Sequence, residues 1–349
     1  MAETAKLLSL GTAVPEHVLT QNEVEAQAKK IFAERMSPFL RLLPIYQNTG
    51  IAKRHFARPL AWYYSPRGWH DRMETYLESA LDLFIAASRK ALDGAGLAGG
   101  DIDAVVTISS TGIATPSLEA RAALTLGFRR DVQRVPVFGL GCAGGASGLG
   151  IARSLALARP GANILLVAVE ICSMAFRIDD VGIADVVASS LFADGAAALV
   201  LRAGPGGRAA LTGAGDYLWP DTLNIMGWRI DPAGFGVIFD RDIPPFAEAN
   251  LRPALDAILA GCGFKRGHID RFIAHPGGAK VVAAIERSLD LDEGSLDHER
   301  AVLADFGNMS APTVLFVLER LLQAGLPARS CLMGLGPGFT ASGVVLERV

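Results

Sequence analysis

An α/β fold made of two duplicated βαβ-type halves is the architecture this sequence predicts, and three observations predict it. The first is an internal repeat. "ALDGAGLAGGDIDAVVTISSTG" (Ala91–Gly112) returns as "AILAGCGFKRGHIDRFIAHPGG" (Ala257–Gly278), so that Gly94, Gly96, Gly100, Ile102 and Asp103 reappear as Gly261, Gly263, Gly267, Ile269 and Asp270 in one ungapped register of 167 positions. The second is a set of short, almost wholly apolar runs such as "NILLVAVE" and "SCLMGLG", the pattern of strands covered on both faces. The third is "TVLFVLERLL", whose apolar residues fall at i, i+3, i+4 spacing and mark a helix with a buried face.

Taken in order, "KLLSLGTAVP" opens the chain as a strand and turn. Only about nine residues separate Lys6 from Pro15, too few for the apolar stretch of an export signal. In each repeat a helix runs into glycines, a glycine-rich loop follows, and an apolar strand ("AVVTIS", "RFIAH") leads into a turn. Similar successions then follow. The first half continues with a helix opening at Cys142 and running to about Ala158, then "NILLVAVE" and "DGAAALVLRA". The second continues with a helix opening near Asn308 and running to about Ala324, then "SCLMGLG" and "FTASGVVLE". This divides the chain into residues 1–205 and 206–349. The repeat register sets the strand end at Ile108 against His275, so symmetric packing would bring both strand ends and both helix starts to one place.

Composition narrows the function classes. A chain of 349 residues, 50% hydrophobic and 20% charged, is globular and large enough for a substantial core. A formal net charge of -3 leaves no basic footprint for nucleic acid. Cys142, Cys172, Cys262 and Cys331 are widely spaced with no C-x-x-C, which argues against a disulfide framework or a zinc site and for a reducing, cytoplasmic setting. The longest apolar runs, such as "ILLVAV", fall far short of the ~20 residues that span a bilayer.

Three residues are candidates for chemistry. Gly139, Gly141 and Gly144 spell G-x-G-x-x-G, the loop that cradles a dinucleotide pyrophosphate, and Glu170 ends the next strand as a ribose-binding acid would. But Glu170 lies 26 residues past Gly144, beyond the usual ~20, and Cys142 interrupts the motif. A cysteine at a helix start gains from the partial positive charge and free N–H groups there, and with a histidine to assist its pKa falls to ~3.5–7.5. Read structurally, it is a small buried residue among glycines and alanines. His275 ends an apolar strand, a position that orients a base or merely fills the core. Asn308 is either an ordinary helix N-cap or an amide that holds an oxyanion.

Together these residues resemble a known family. Cys142 in "GLGCAGG", His275 in "IAHPGG", Asn308 in "FGNMS" and "GLGPG" at Gly334–Gly338 are similar to the type III polyketide synthases, the chalcone-synthase-like enzymes, as are "SSTGIATPS" and "SSLFADGAAA". The related ketoacyl synthases that start fatty acids set their histidine in H-Q-A-N, where this chain has "HPGG". The resemblance implies a thiolase-type αβαβα sandwich. It also implies a homodimer acting on malonyl-CoA and acyl-CoA, with no metal, redox cofactor, nucleic acid or membrane span. Cys142 would take the acyl group, and His275 and Asn308 would stabilise the enolate left when malonyl-CoA loses CO₂. The extended chain would then cyclise to a pyrone or a resorcinol-type ring.

Departures from the plant enzymes carry further expectations. Of the two gating phenylalanines one corresponds to Phe192, and the other falls at Val237. Cys172, Ala175 and Thr115, with Gly336, Pro337 and Gly338, match cavity positions, Thr115 on a loop that reaches the partner's cavity. The smaller Val237 and Ala175 predict a tunnel for medium or long aliphatic starters, against the alternative that Trp228, nearby in sequence, fills the space and leaves a short pocket. Arg41, Lys53 and Arg54 are the candidates for the CoA phosphates, since Asn48 replaces an expected lysine. The segment "WYYSPRGWHDRMETYLESA" (Trp62–Ala80) is similar to bacterial members that make alkylpyrones and alkylresorcinols.

Overall fold

The computed structural model describes residues 4–32, 39–178, 182–232 and 234–349. The duplication is visible in its hydrogen bonds. Asp103 N–H donates to the Asn163 carbonyl at 2.9 Å, and Asn163 N–H donates back to Asp103 Oδ2 at 2.8 Å. Asp270 and Arg329 repeat that exchange at 2.9 and 2.8 Å. The aspartates kept by the repeat thus clamp the loop before one strand to the start of its neighbour, once in each half.

Nine strands form one mixed sheet in the spatial order Arg271–Ala274, Arg329–Gly336, Thr340–Arg348, Ala209–Leu218, Ala5–Ala13, Asp194–Ala203, Asn163–Ile171, Ala104–Ile108 and Gln133–Val137. In the first half Ala104–Ile108 runs parallel to both its neighbours, and Asn163–Ile171, Asp194–Ala203 and Ala5–Ala13 then alternate antiparallel. The second half repeats one parallel and two antiparallel pairings. It has no counterpart of Gln133–Val137 among the described residues. The halves join where Ala5, Lys6 and Leu7 pair with Leu211, Ala210 and Ala209.

Strand alternation then builds the layers. Ala104, Val106 and Ile108 point to a central core with Leu166 and Leu199, and Ile273, Leu332 and Val344 join that core from the other half. Between them lie the two helices that follow the repeats, Gly144–Ala158 and Ala311–Ala324, through Leu149, Ala152, Val314 and Leu318. The opposite faces are covered by outer helices. Val105, Val167 and Val200 meet Tyr76, Ala80, Phe84 and Ala87 of the helix Trp69–Ala95, whose i, i+4 spacing makes one buried stripe. Phe272, Met333 and Val345 meet Leu251, Leu255 and Ile258 of the helix Ile243–Gly261. The result is helix, sheet, helix, sheet, helix. Both central helices begin at the same end of the sandwich as the strand ends Ile108 and Ala274, and that end holds the candidate site.

Candidate active site

Cys142 sits in the short 3₁₀ turn Gly141–Ala143, just ahead of the helix Gly144–Ala158 rather than on its first residue. This turn packs closely on the strand Arg329–Gly336. A Cβ on Gly334 would stand 2.8 Å from the Cys142 carbonyl oxygen, and one on Gly336 2.5 Å from the Leu140 oxygen. Only glycine permits that approach. Gly139 and Gly141 N–H groups both donate to Ser110 Oγ, at 3.1 and 3.2 Å, which ties the turn to the end of the neighbouring strand.

His275 follows the strand Arg271–Ala274 directly, and its N–H donates to the Met333 carbonyl at 2.9 Å. One residue earlier, Ala274 N–H donates to Glu299 Oε1 at 3.0 Å while Arg271 donates to Oε2 at 2.6 Å, so the strand end is held from the side. Asn308 is held on every polar atom. Its N–H donates to the Leu191 carbonyl and its carbonyl accepts from Ala193 N–H, both at 2.9 Å, a parallel bridge to Phe192. Its Oδ1 accepts from Ser310 N–H at 2.8 Å, which fixes the amide so that Nδ2 donates to the Gly277 carbonyl at 3.1 Å. Ser310 itself has φ of 60°, an uncommon value for a residue with a side chain.

Cys142, His275 and Asn308 line one tight cavity of about 20 Å³, closed by Met226, Phe239, Val281 and Leu335. Its dryness sets the ionisation. Burial pushes the Cys142 thiol up to about 12, reinforced by the charge of Glu170 and opposed by side-chain hydrogen bonds from Ser310 and Asn308. Burial also lowers the His275 imidazole to about 4, and neither ring nitrogen has a hydrogen-bond partner. The low thiol pKa expected at a helix start is therefore corrected, because desolvation outweighs the dipole when the cysteine sits a turn ahead of the helix in an apolar pocket.

Three further side chains complete the site, of which only Ser310 was given no role from the sequence. Glu170 Oε2 accepts from Ser110 N–H, Thr111 N–H and the Thr111 hydroxyl at 2.9, 3.0 and 2.7 Å, and burial raises its carboxyl to about 7. Sealed in this way it cannot meet a ribose, which removes the dinucleotide reading. A lone acid ending an apolar strand was the sequence signal for it. Ser310 reaches the Cys142 thiol. Trp228 comes from the hairpin Met226–Asp231/Gly234–Phe239, pairs in register with Val237, and donates from Nε1 to the Ser110 carbonyl at 2.8 Å.

The remaining expected residues separate. Ala175 and Val237 are buried with Ala188 under Phe192, Trp228 and Phe239, so the indole occupies the room that a smaller Val237 and Ala175 would leave. Cys172 and Phe192 instead border a second, narrow apolar cavity of about 50 Å³ with Val24, Tyr63, Phe176 and the buried Arg54. Gly336, Pro337 and Gly338 are corrected from cavity wall to backing. Pro337 and Gly336 press on the Gly141–Ala143 turn, and it is Met333, Gly334 and Leu335 that face the cavity. Arg54 is fully buried and donates from Nη1 to the Ser189 and Phe192 carbonyls, so it is no surface contact for a CoA phosphate. Its neighbour Lys53 is exposed, as is Arg41 on the short helix Phe39–Leu42. Thr115 lies exposed on a surface loop and does not line this chain's own cavity.

A duplicated five-layer sandwich whose central helices begin beside a buried cysteine, histidine and asparagine defines a condensing enzyme of the thiolase type. Residues 1–205 match the family described as "Chalcone and stilbene synthases, N-terminal domain" and residues 210–349 its C-terminal domain. The chain belongs to this family, the type III polyketide synthases, and is an acyltransferase. It is 39% identical to the 1,3,6,8-tetrahydroxynaphthalene synthase of Streptomyces peucetius subsp. caesius over 96% of this chain and 91% of that one. The solved structure of the tetrahydroxynaphthalene synthase of Streptomyces coelicolor A3(2) superposes with a TM-score of 0.93 at 32% identity, covering 98% of this chain and 99% of that one. The C-terminal type III polyketide synthase domain of a hybrid synthase from Dictyostelium gives 0.92 at 28% identity, covering 99% of each. Among the described residues no helix is long and apolar enough to cross a membrane.

Proposed function

We propose that this polyketide synthase loads an aliphatic acyl starter on Cys142 and extends it with malonyl-CoA, using His275 and Asn308, to a chain that closes as a pyrone or resorcinol-type ring. In the empty cavity both reactive groups are neutral. Transfer of the thiol proton to the imidazole leaves two opposite charges side by side, and in a dry site their attraction is far stronger than in water. The thiolate attacks the thioester carbonyl, CoA sulfur leaves, and the imidazolium returns the proton to it. With malonyl-CoA bound, the bond to the carboxylate breaks, CO₂ departs, and the electron pair becomes an enolate. Donors from Asn308 and the histidine ring stabilise its oxygen. The enolate carbon attacks the Cys142 thioester and sulfur leaves as thiolate. No net oxidation or reduction occurs in this sequence.

The observation that supports the starter class is the almost wholly apolar lining of the narrow cavity behind Cys172 and Phe192. Each methylene seated there contributes ~0.8 kcal/mol. This cavity lies apart from the wall at Ala175 and Val237 where a tunnel was expected, against which Trp228 packs. The packing of Trp228 on that wall favours a second reading, in which malonyl-CoA alone is used and the product is a tetrahydroxynaphthalene, the compound for which two relatives are named. Incubating the protein with labelled malonyl-CoA, alone and with acyl-CoAs of two to sixteen carbons, separates the two by product mass. Products that incorporate eight or more starter carbons support the first; one product regardless of acyl-CoA supports the second.

We also infer a cytoplasmic homodimer. All four cysteines are free, and Ile113, Phe138 and Ile230 stand exposed around a surface hollow beside the Thr115 loop. Contiguous apolar surface of this kind marks an interface. Light scattering at micromolar concentration that returns a monomer with full turnover would remove the dimer.

A further inference from the structure

Arg54 was a phosphate candidate by sequence, and its burial asks for another role. It stands on the short strand Lys53–Phe56, whose alternation turns Lys53 outward and Arg54 inward. Among the described residues no carboxylate lies within ion-pair distance of it, Nε and Nη2 have no hydrogen-bond partner, and the guanidinium lies over the Phe56 ring, 5.3 Å from its centroid. Asp194, whose charge it feels, is already engaged by Ala57 N–H, Ser173 N–H and the Ser173 hydroxyl. A buried guanidinium without a pairing acid is costly, so what it does hold matters. Nη1 donates to the Ser189 and Phe192 carbonyls, each at 2.8 Å.

The same backbone segment is gripped from its other side by the active site. Leu191 and Ala193, on either side of Phe192, hydrogen-bond the Asn308 backbone. The contact closes into a ring at Gly307, where an added Cβ would stand 2.7 Å from Arg54 Cγ and 2.8 Å from Cδ, at a φ of 72°. Arg54 therefore touches both ends of the connection, the Phe192 carbonyl and the residue before Asn308.

We propose that Arg54 is a positioning residue for the condensation step: its fork on the Ser189 and Phe192 carbonyls sets the Leu191–Ala193 segment, and through the Phe192–Asn308 bridge it sets the Asn308 amide. Cys142 and His275 hang from other elements, the Gly141–Ala143 turn and the strand Arg271–Ala274. Loss of Arg54 thus acts on the enolate-stabilising half of the site; because Arg54 also borders the cavity behind Cys172 and Phe192, acylation is read with acetyl-CoA, whose short acyl group does not occupy that cavity. This inference rests on the reading of Asn308 as an enolate donor.

The test uses the full chain with Arg54→Met, Arg54→Lys and, pressing from the opposite side, Gly307→Ala. Three quantities are read: the rate of Cys142 acylation by intact-protein mass, kcat and KM for malonyl-CoA in product formation, and Tm. For Arg54→Met, kcat for condensation falls about tenfold to a hundredfold, the size of effect that a displacement near 1 Å produces. Acylation and KM stay within about threefold, and Arg54→Lys recovers part of the loss. A raised KM with unchanged kcat would return Arg54 to ligand binding and overturn the proposal. Equal losses of acylation and condensation would reduce it to a fold residue and do the same. Should Arg54→Met fail to fold, Arg54→Lys and Gly307→Ala decide by the same split. Asn308→Ala run alongside keeps the two ideas apart. If it leaves condensation intact, the reading of Asn308 fails; if it abolishes condensation while the Arg54 variants behave as wild type, only this inference fails.

Discussion

The turn before each central helix occupies the same place in the two halves, and the two turns solve opposite problems. At Gly141–Ala143 the backbone is pressed so closely against its neighbours that glycines are needed opposite it, and the one functional side chain is small and held only by the Ser310 and Asn308 side chains. At Asn308–Ser310 the backbone departs from ordinary geometry at Ser310, and the amide of Asn308 is bonded on both its oxygen and its nitrogen. A nucleophile must leave its resting place to form a bond, so a loosely held thiol on a rigid support suits it. A donor that stabilises developing charge must not reorganise, so every other atom of its side chain is fixed. One duplicated scaffold supports both.

Removing the nucleophile breaks the comparison most severely. Cys142→Ala is expected to lower product formation by at least about 10³-fold, as loss of a covalent nucleophile does elsewhere, while the melting temperature stays close to wild type. An acyl adduct persisting in the mutant by intact mass would take Cys142 out of that role. Next comes the fixed donor. Asn308→Ala should reduce condensation about 10²- to 10³-fold, the range for one oxyanion-type donor, with acylation of Cys142 largely retained. Rapid-quench measurement of the two steps checks this.

A third effect lies in stability. His275 is held neutral, with its pKa lowered from 6.5 to about 4 by burial. Between those values the unfolded chain binds the proton and the folded chain does not, so stability falls as pH drops from 6.5 towards 4. The full shift corresponds to about 3 kcal/mol. Denaturant titrations across that window should show a flatter profile for His275→Gln than for wild type; identical profiles would mean the ring is already charged in the fold. The smallest effect concerns Trp228. Trp228→Ala should lengthen the preferred starter, each further methylene adding about fourfold in kcat/KM. An unchanged length profile would show that chains never pass the indole.

The repeat, the strands covered on both faces and the three site residues were legible because each leaves a local trace: a shared register, an apolar run, a polar residue at the end of one. What was not legible depends on distant neighbours. Lys53 and Arg54 are adjacent and alike in charge, and only strand pairing decides which turns inward. The elevated thiol pKa of Cys142 comes from desolvation by residues scattered from Met226 to Leu335. The sequence left open whether Val237 vacates room or Trp228 fills it, and the pairing of the two in one hairpin, which packs the indole on that wall, is what decides.

The seam between the halves has a consequence for synthesis of the chain. Ala5–Ala13 leaves the ribosome well before its partners, Asp194–Ala203 and Ala209–Leu211. Until roughly 180 further residues have been made it has neither neighbour, and an apolar strand with both edges open is a template for wrong pairing. Chains truncated after residue 205 would complete one edge and leave the other bare. Such a fragment should be recovered mainly as aggregate, and co-expression with residues 206–349 should return it to the soluble fraction.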